Sequence, residues 1–422
     1  MRDSLAAMLP PHSPPPAGAP HTPAAPPREP SGGAQQAPWH QVMTFQPSAP
    51  VPRNVTRRPA IRRLVLTSAV VTVFGIAALL LGAIVYDVIG LAAAGLALVS
   101  ASIAIGIVVP TFLWVDRLEA EPARLLWFAF LWGALISTLG ALVLNELGVA
   151  FFAGLHEDPL VLGAVVLAPL TEELAKGLGV LLIFWRARRE FNGVTDGIVY
   201  AGLVAAGFAF VENILYLGQA YVELGTPGLV GLFIMRCLVS PFAHPMFTVC
   251  IGLALGLVAH RRRLSSAWVV VVGFAAAVFL HALWNYSAVV AADAYLVIFA
   301  IVQVPLFVAF LLLLRWTRRR ESRILRDTLT GYGINGWFTP AEVAMLADPG
   351  ERRRARSWAR GAGGRRAQQA MTAFQDESGE LAMVRKHLNN EPGGRPDPEW
   401  LHREQRLLQT ITAHRRVFVP GV

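Results

Sequence analysis

Between residues 64 and 314 the chain is nearly free of charge and runs through one apolar stretch after another. A helix of about 20 apolar residues crosses the roughly 30 Å hydrocarbon core of a bilayer. A helix also satisfies its own backbone hydrogen bonds where no water is available. The sequence therefore specifies an all-α fold, a polytopic membrane helix bundle. Composition agrees: 54% of the residues are hydrophobic and only 15% are charged, against about 25% charged in soluble domains.

Eight segments are long enough to span, at roughly 64–86, 88–115, 125–146, 160–185, 195–217, 228–259, 267–292 and 294–314. Only Asp87 and Gly90 separate the first two, and Ser240-Pro241 is expected to kink the sixth. Three regions follow: a Pro-rich, disordered cytoplasmic tail over 1–60, a transmembrane domain over 61–320, and a basic cytoplasmic tail over 321–422. The first holds about half of the 29 prolines and no apolar period, as in disordered or polyproline-like chains. It is not a secretory signal, because its apolar run starts too late and continues into further spans. In the C-terminal tail, Thr339-Pro340-Ala341-Glu342 reads as a capping box with proline at the first helical position. Asp397-Pro398-Glu399 begins another helix.

Basic residues orient the bundle, since cytoplasmic loops are enriched in them. Arg57, Arg58, Arg62 and Arg63 precede the first span; Arg186, Arg188 and Arg189, then Arg261 to Arg263, then Arg318 to Arg320 follow even-numbered spans. The alternate loops carry His156, Glu157, Asp158, Glu223 and Asp293. Both termini are thus expected in the cytoplasm. The net charge of +9 sits at the ends of apolar runs and in the tail, where it meets lipid headgroups rather than nucleic acid. Cys237 and Cys250, the only cysteines, exclude a disulfide framework and read as packing residues.

Ionisable residues at bilayer depth are expensive and so mark function. In the fourth span Glu172 and Lys176 are four apart and share a helix face, while Glu173 points about 100° away and needs another partner. In the fifth, Phe208 and Glu212 are one turn apart, with Asn213 beside the carboxylate. The sixth carries His244, and in the seventh His281 and Asn285 share a face. Four consecutive helices therefore bring Glu172, Glu173, Glu212, His244 and His281 to similar depths, with Lys176, Asn213 and Asn285 in support. Read alone, a membrane histidine or asparagine is often only an interhelical hydrogen bond.

Such a cluster fits a peptidase, in which a carboxylate activates water and histidines bind metal or stabilise the oxyanion. It fits equally a proton- or ion-coupled transporter that uses the carboxylates as a relay. Spacing alone does not choose. Transporters often carry internal repeats, and none is visible. A His-Glu-x-x-His zinc helix, a Gly-x-Ser nucleophile and a Gly-x-Gly-Asp motif are also missing from the spans.

Glu172-Glu173-x-x-Lys176, Phe208-x-x-x-Glu212 with Asn213, His244, and His281-x-x-x-Asn285, in that order, resemble the PrsW family of intramembrane proteases. That family is related to the CAAX-prenyl protease and bacteriocin-processing group. The resemblance covers roughly residues 120 to 315. It implies a peptidase for a membrane-anchored protein substrate, with site-1 cleavage of an anti-sigma factor as the family's associated role. It also implies that Glu172 and Glu173 activate water while His244 and His281 bind metal or stabilise the oxyanion. Glu212 stands where CAAX proteases have a histidine. Glu212, His244 and His281 then form the candidate metal set with zinc as the candidate ion, against a metal-free glutamate mechanism. Richness in alanine, glycine and arginine points to a high-GC bacterium.

Overall fold

The computed structural model describes residues 58–118, 121–155, 158–188, 190–191, 193–259, 267–389 and 398–417. The proline-rich tail up to residue 57, His156, Glu157, Arg189, His260, Arg261 to Arg263 and Asp397 lie outside the described residues. Among the described residues every regular element is helical.

Ten of the helices among the described residues organise the fold. They are α1 (Arg58–Val115), α2 (Ala123–Phe152), α3 (Ala168–Arg186), α4 (Val194–Phe233), α5 (Ala243–Val258), α6 (Ala267–Val289), α7 (Val304–Ile334), α8 (Pro340–Leu346), α9 (Pro349–Asn389) and α10 (Pro398–Arg415). Among the described residues five apolar stretches are long enough to cross a membrane: Leu64–Val115, Ala123–Phe152, Val194–Val258, Ala267–Val289 and Tyr295–Ile334. The first and third, at 52 and 65 residues, far exceed the ~20 residues one crossing needs, and both are broken. Gly90 in α1 has φ 72° and Gly225 in α4 has φ 66°, a backbone region that glycine enters without a Cβ penalty. Between α4 and α5 the chain leaves the helix at Ser240, Pro241 and Phe242, so the kink expected there is a full break. α3 is not among the five stretches, because Glu172, Glu173 and Lys176 interrupt its apolar character.

Burial separates lipid-facing helices from the centre. Within the Val194–Val258 stretch 83% of the most apolar window is buried, against 11% in Leu64–Val115 and in Tyr295–Ile334. α4 and α5 thus form the middle of the bundle. They approach closely because Gly197 faces Gly252: a Cβ on either would overlap the carbonyl oxygen of the other. Small residues permit this backbone contact, which supplies the van der Waals packing that holds helices together in lipid.

The described part of the C-terminal tail is helical, and α8 starts at the capping box expected from the sequence. Thr339 Oγ1 accepts from the Glu342 amide at 3.2 Å while Glu342 Oε2 accepts from the Thr339 amide at 2.8 Å. α7 runs without interruption through residue 320, and α8 to α10 pack beyond it around Leu346, Met371, Phe374, Leu381 and Ile411. The fully buried Arg352 of α9 donates to the Leu118 carbonyl after α1 and, at 2.9 Å, to Asp376. Arg403 of α10 lies 3.9 Å from Glu190 after α3. The connections after α1 and after α3 therefore meet the tail at the same end of the bundle.

Candidate functional site

α3 brings Glu172, Glu173 and Lys176 into the bundle, where Glu173 and Lys176 are inaccessible to solvent and Glu172 is 6% exposed. The i, i+3 and i, i+4 spacings place Lys176 Nζ 2.9 Å from Glu173 Oε1 and 3.2 Å from Glu172 Oε2. Its third contact is His244 Nδ1 at 3.1 Å, and the Phe208 ring centroid lies 3.8 Å away. An ammonium has three N–H groups and no lone pair. All three donors are accounted for, and the aromatic face covers the remaining side. Two carboxylates and one ammonium leave a net negative cluster in a low dielectric, so further donors are needed.

Glu173 finds them on α5 and α6. Thr248 Oγ1 donates to its Oε2 at 2.8 Å, and His281 Nδ1 lies 3.1 Å from its Oε1. An ionised carboxylate only accepts, so the proton of neutral His281 sits on Nδ1 and the Nε2 lone pair points onward. That Nε2 lies 3.8 Å from Glu172 Oε2. The same reasoning applies to His244. Its Nδ1 accepts from Lys176, its proton is on Nε2, and Nε2 lies 2.7 Å from Glu212 Oε2. Phe247 stacks on His281 with centroids 4.9 Å apart, and the two imidazoles meet edge to face at 5.1 Å.

The five catalytic candidates read from the sequence thus converge, joined by Lys176. Asn213 and Asn285 do different work. Asn213 Oδ1 accepts from Arg236 Nε at 2.7 Å, and Asn285 Nδ2 donates to the Ala164 carbonyl at 2.8 Å. Ala164 lies in the wide π-type turn Gly163–Leu167 just before α3, so Asn285 fixes the entry to the glutamate helix. Sequence reasoning missed Arg236 and Thr248. Arg236, which follows α4, donates to Glu212 as well as Asn213 and stacks over Tyr216 at 4.3 Å. Its signal was plain enough, since it is the single charge between Gly228 and Val239. Thr248 gave none, because a threonine four residues after a histidine is common in any helix.

Beside His244 opens a cavity of about 340 Å³, walled by Leu232, Met235, Pro241 and Trp284 and edged by Arg236 and Asn213. Its size and apolar walls with a few convergent polar groups suit a bound side chain.

Glu172, His244 and His281 each offer one ligand atom within 4.8 Å of the others. The donor set fits a divalent ion. His244 and His281 each have one ring nitrogen bonded to a carboxylate, Glu212 and Glu173 respectively. That carboxylate–histidine arrangement orients metal-binding imidazoles. The other nitrogen of His244 accepts from Lys176, so an ion held there would take the place of that ammonium contact. Glu212, the third member of the metal set expected from the sequence, has its Oε2 2.7 Å from His244 Nε2.

Residues 121–313 match the family model described as PrsW family intramembrane metalloprotease. The chain is similar to the protease PrsW of Geobacillus kaustophilus, 31% identical over 192 residues that cover 45% of this chain and 78% of that protein. It is 27% identical to the Oceanobacillus iheyensis protease PrsW over 38% of this chain and 69% of that one. To the Clostridioides difficile protease PrsW it is 34% identical, over 32% and 55% respectively. No solved structure matches. The matched region holds the whole cluster and leaves out all of α1 and the tail beyond residue 313.

Proposed function

The chain belongs to the PrsW family of intramembrane metalloproteases, and from that premise we propose how its buried cluster hydrolyses a peptide bond. It is a multi-pass membrane protein and an intramembrane peptidase. Glu172 is the proton acceptor for the attacking water. One observation carries this assignment: Glu173 is held by Lys176, Thr248 and His281, whereas Glu172 has Lys176 at 3.2 Å and His281 no nearer than 3.8 Å. The less committed carboxylate is the one able to take a proton and return it to the leaving amine. Glu173 keeps His281 in one tautomer, and Glu212, clamped by Arg236, does the same for His244.

Glu172, His244 and His281 are the residues that would hold a metal ion, with zinc as the candidate; the proton-acceptor role of Glu172 given above is its role in the metal-free site. Such an ion would lower the pKa of its bound water and polarise the scissile carbonyl. The substrate is a membrane-anchored protein, an anti-sigma factor on the family resemblance, and the cavity beside His244 receives one of its side chains. With eight crossings, the connections after α1 and α3 lie on the side of the C-terminal tail, so both termini are cytoplasmic. The contacts of Arg352 with Leu118 and of Arg403 with Glu190 support that threading.

Cleavage of a membrane-anchored reporter in proteoliposomes tests the reading. Glu172→Gln and Glu173→Gln should each abolish it at unchanged protein levels; full activity in both variants would sink the assignment. Metal analysis of the purified protein should find bound metal that His281→Ala loses. No metal in the wild type would favour a glutamate mechanism in which Lys176 supplies the positive charge.

A further inference from the structure

Outside the matched region, α7 carries a feature that hydrolysis does not use. Its apolar run ends at Leu314, and Arg315, Arg319, Arg323 and Arg326 follow at helical spacing on one exposed face. None of these four makes an ion pair among the described residues. Asp348 caps the start of α9 through the amides of Gly350 and Glu351, Glu321 is buried on another face, and Asp327, four residues after Arg323, makes no ion pair with it among the described residues. Arg318 lies over the Trp114 ring at 3.7 Å, with its Nε buried and unbonded, and Arg117 and Arg353 add to the positive field there.

These arginines line a cavity of about 1000 Å³ whose other wall is apolar, formed by Trp114, Leu118, Leu312 and Trp316. Trp114 and Trp316 mark the ends of two apolar runs, the level at which tryptophans settle between hydrocarbon and headgroups. An apolar floor at that level beneath unpaired guanidinium groups matches one chemistry, a phosphate attached to acyl chains. Guanidinium forks bind phosphate oxygens in pairs, and the floor takes the glycerol and first methylenes. We propose that this cavity binds the phosphate group of an anionic phospholipid, the lipid bridging the end of α1 to α7 and the start of α9.

The test uses the full chain in nanodiscs of phosphatidylcholine alone or mixed with phosphatidylglycerol. Lipid retained by the protein is measured by native mass spectrometry and stability by thermal unfolding. Wild type should retain phosphatidylglycerol over phosphatidylcholine by roughly tenfold and melt higher in the mixed discs. The variant Arg319→Gln/Arg323→Gln/Arg326→Gln alters only exposed side chains, so it should melt like wild type in phosphatidylcholine yet lose both differences. Equal retention of the two lipids by wild type, or a preference that persists in the variant, overturns the proposal. So does an equal rise in melting temperature on adding inorganic phosphate to phosphatidylcholine discs, which would make the occupant a free anion.

Discussion

His244 Nε2 lies 2.7 Å from Glu212 Oε2, although the two residues sit on opposite sides of the break at Ser240, Pro241 and Phe242. The contact joins the middle of α4 to the start of α5 and fixes which imidazole nitrogen faces the glutamate pair. In the mechanism we propose, Glu212 works through His244 rather than on the peptide bond.

Removing the Glu212 charge should leave His244 free to change tautomer and Arg236 without its anion. We expect Glu212→Gln to slow reporter cleavage about 10- to 100-fold, the usual effect of losing a carboxylate behind a ligand histidine. Bound metal should fall in parallel. Cleavage at the wild-type rate would show that Arg236 and Glu212 are only a structural pair.

Lys176 is the sole ammonium among the buried carboxylates of α3. Lys176→Met leaves their charge uncompensated and should destabilise the fold by about 3–5 kcal/mol, as breaking buried pairs does. Adding Glu172→Gln should recover part of that loss. Thermal unfolding in detergent reads both variants, and a double variant as unstable as the sum of its parts would contradict direct coupling.

The α4–α5 crossing depends on Gly197 and Gly252, where an added Cβ meets backbone rather than a movable side chain. Gly252→Ala should therefore destabilise by about 1–3 kcal/mol or more. Gly75, with open space around it, serves as a control: Gly75→Ala should melt at or above the wild-type temperature.

Asp116, just beyond α1, is pushed up to about 8 by burial, partly offset by the Glu121 amide bonded to it at 3.1 Å. Its folded pKa exceeds the unfolded value of 3.8, so between about pH 4 and 8 the folded state binds more protons. Stability contributed by the protonated form is then lost as pH rises through that window. Melting temperatures should fall from pH 5 to pH 8, and Asp116→Asn, which keeps an acceptor for the Glu121 amide, should flatten the trend. An unchanged slope in the variant would assign the dependence to another group.

The sequence by itself determined the membrane bundle, because apolar run length answers directly to bilayer thickness. It determined the candidates too: Glu172, Glu173, Glu212, His244 and His281 stand out because charge and imidazole are rare in such runs. Helical spacing even predicted the Glu172–Lys176 contact. What tertiary structure alone decided is how those groups divide the work. Lys176 reaches His244 across 68 positions, and His281 reaches Glu173 across 108; no local periodicity encodes which nitrogen faces which carboxylate. Asn285 shares a helix face with His281 and still turns to a backbone carbonyl. Arg236 was visible as an isolated charge, but its grip on Glu212 exists only because the chain leaves the helix at Gly225, between the two residues, and turns back. Residue type is written locally, whereas hydrogen-bond partnership depends on how helices cross, and close approaches such as Gly197 to Gly252 set those crossings.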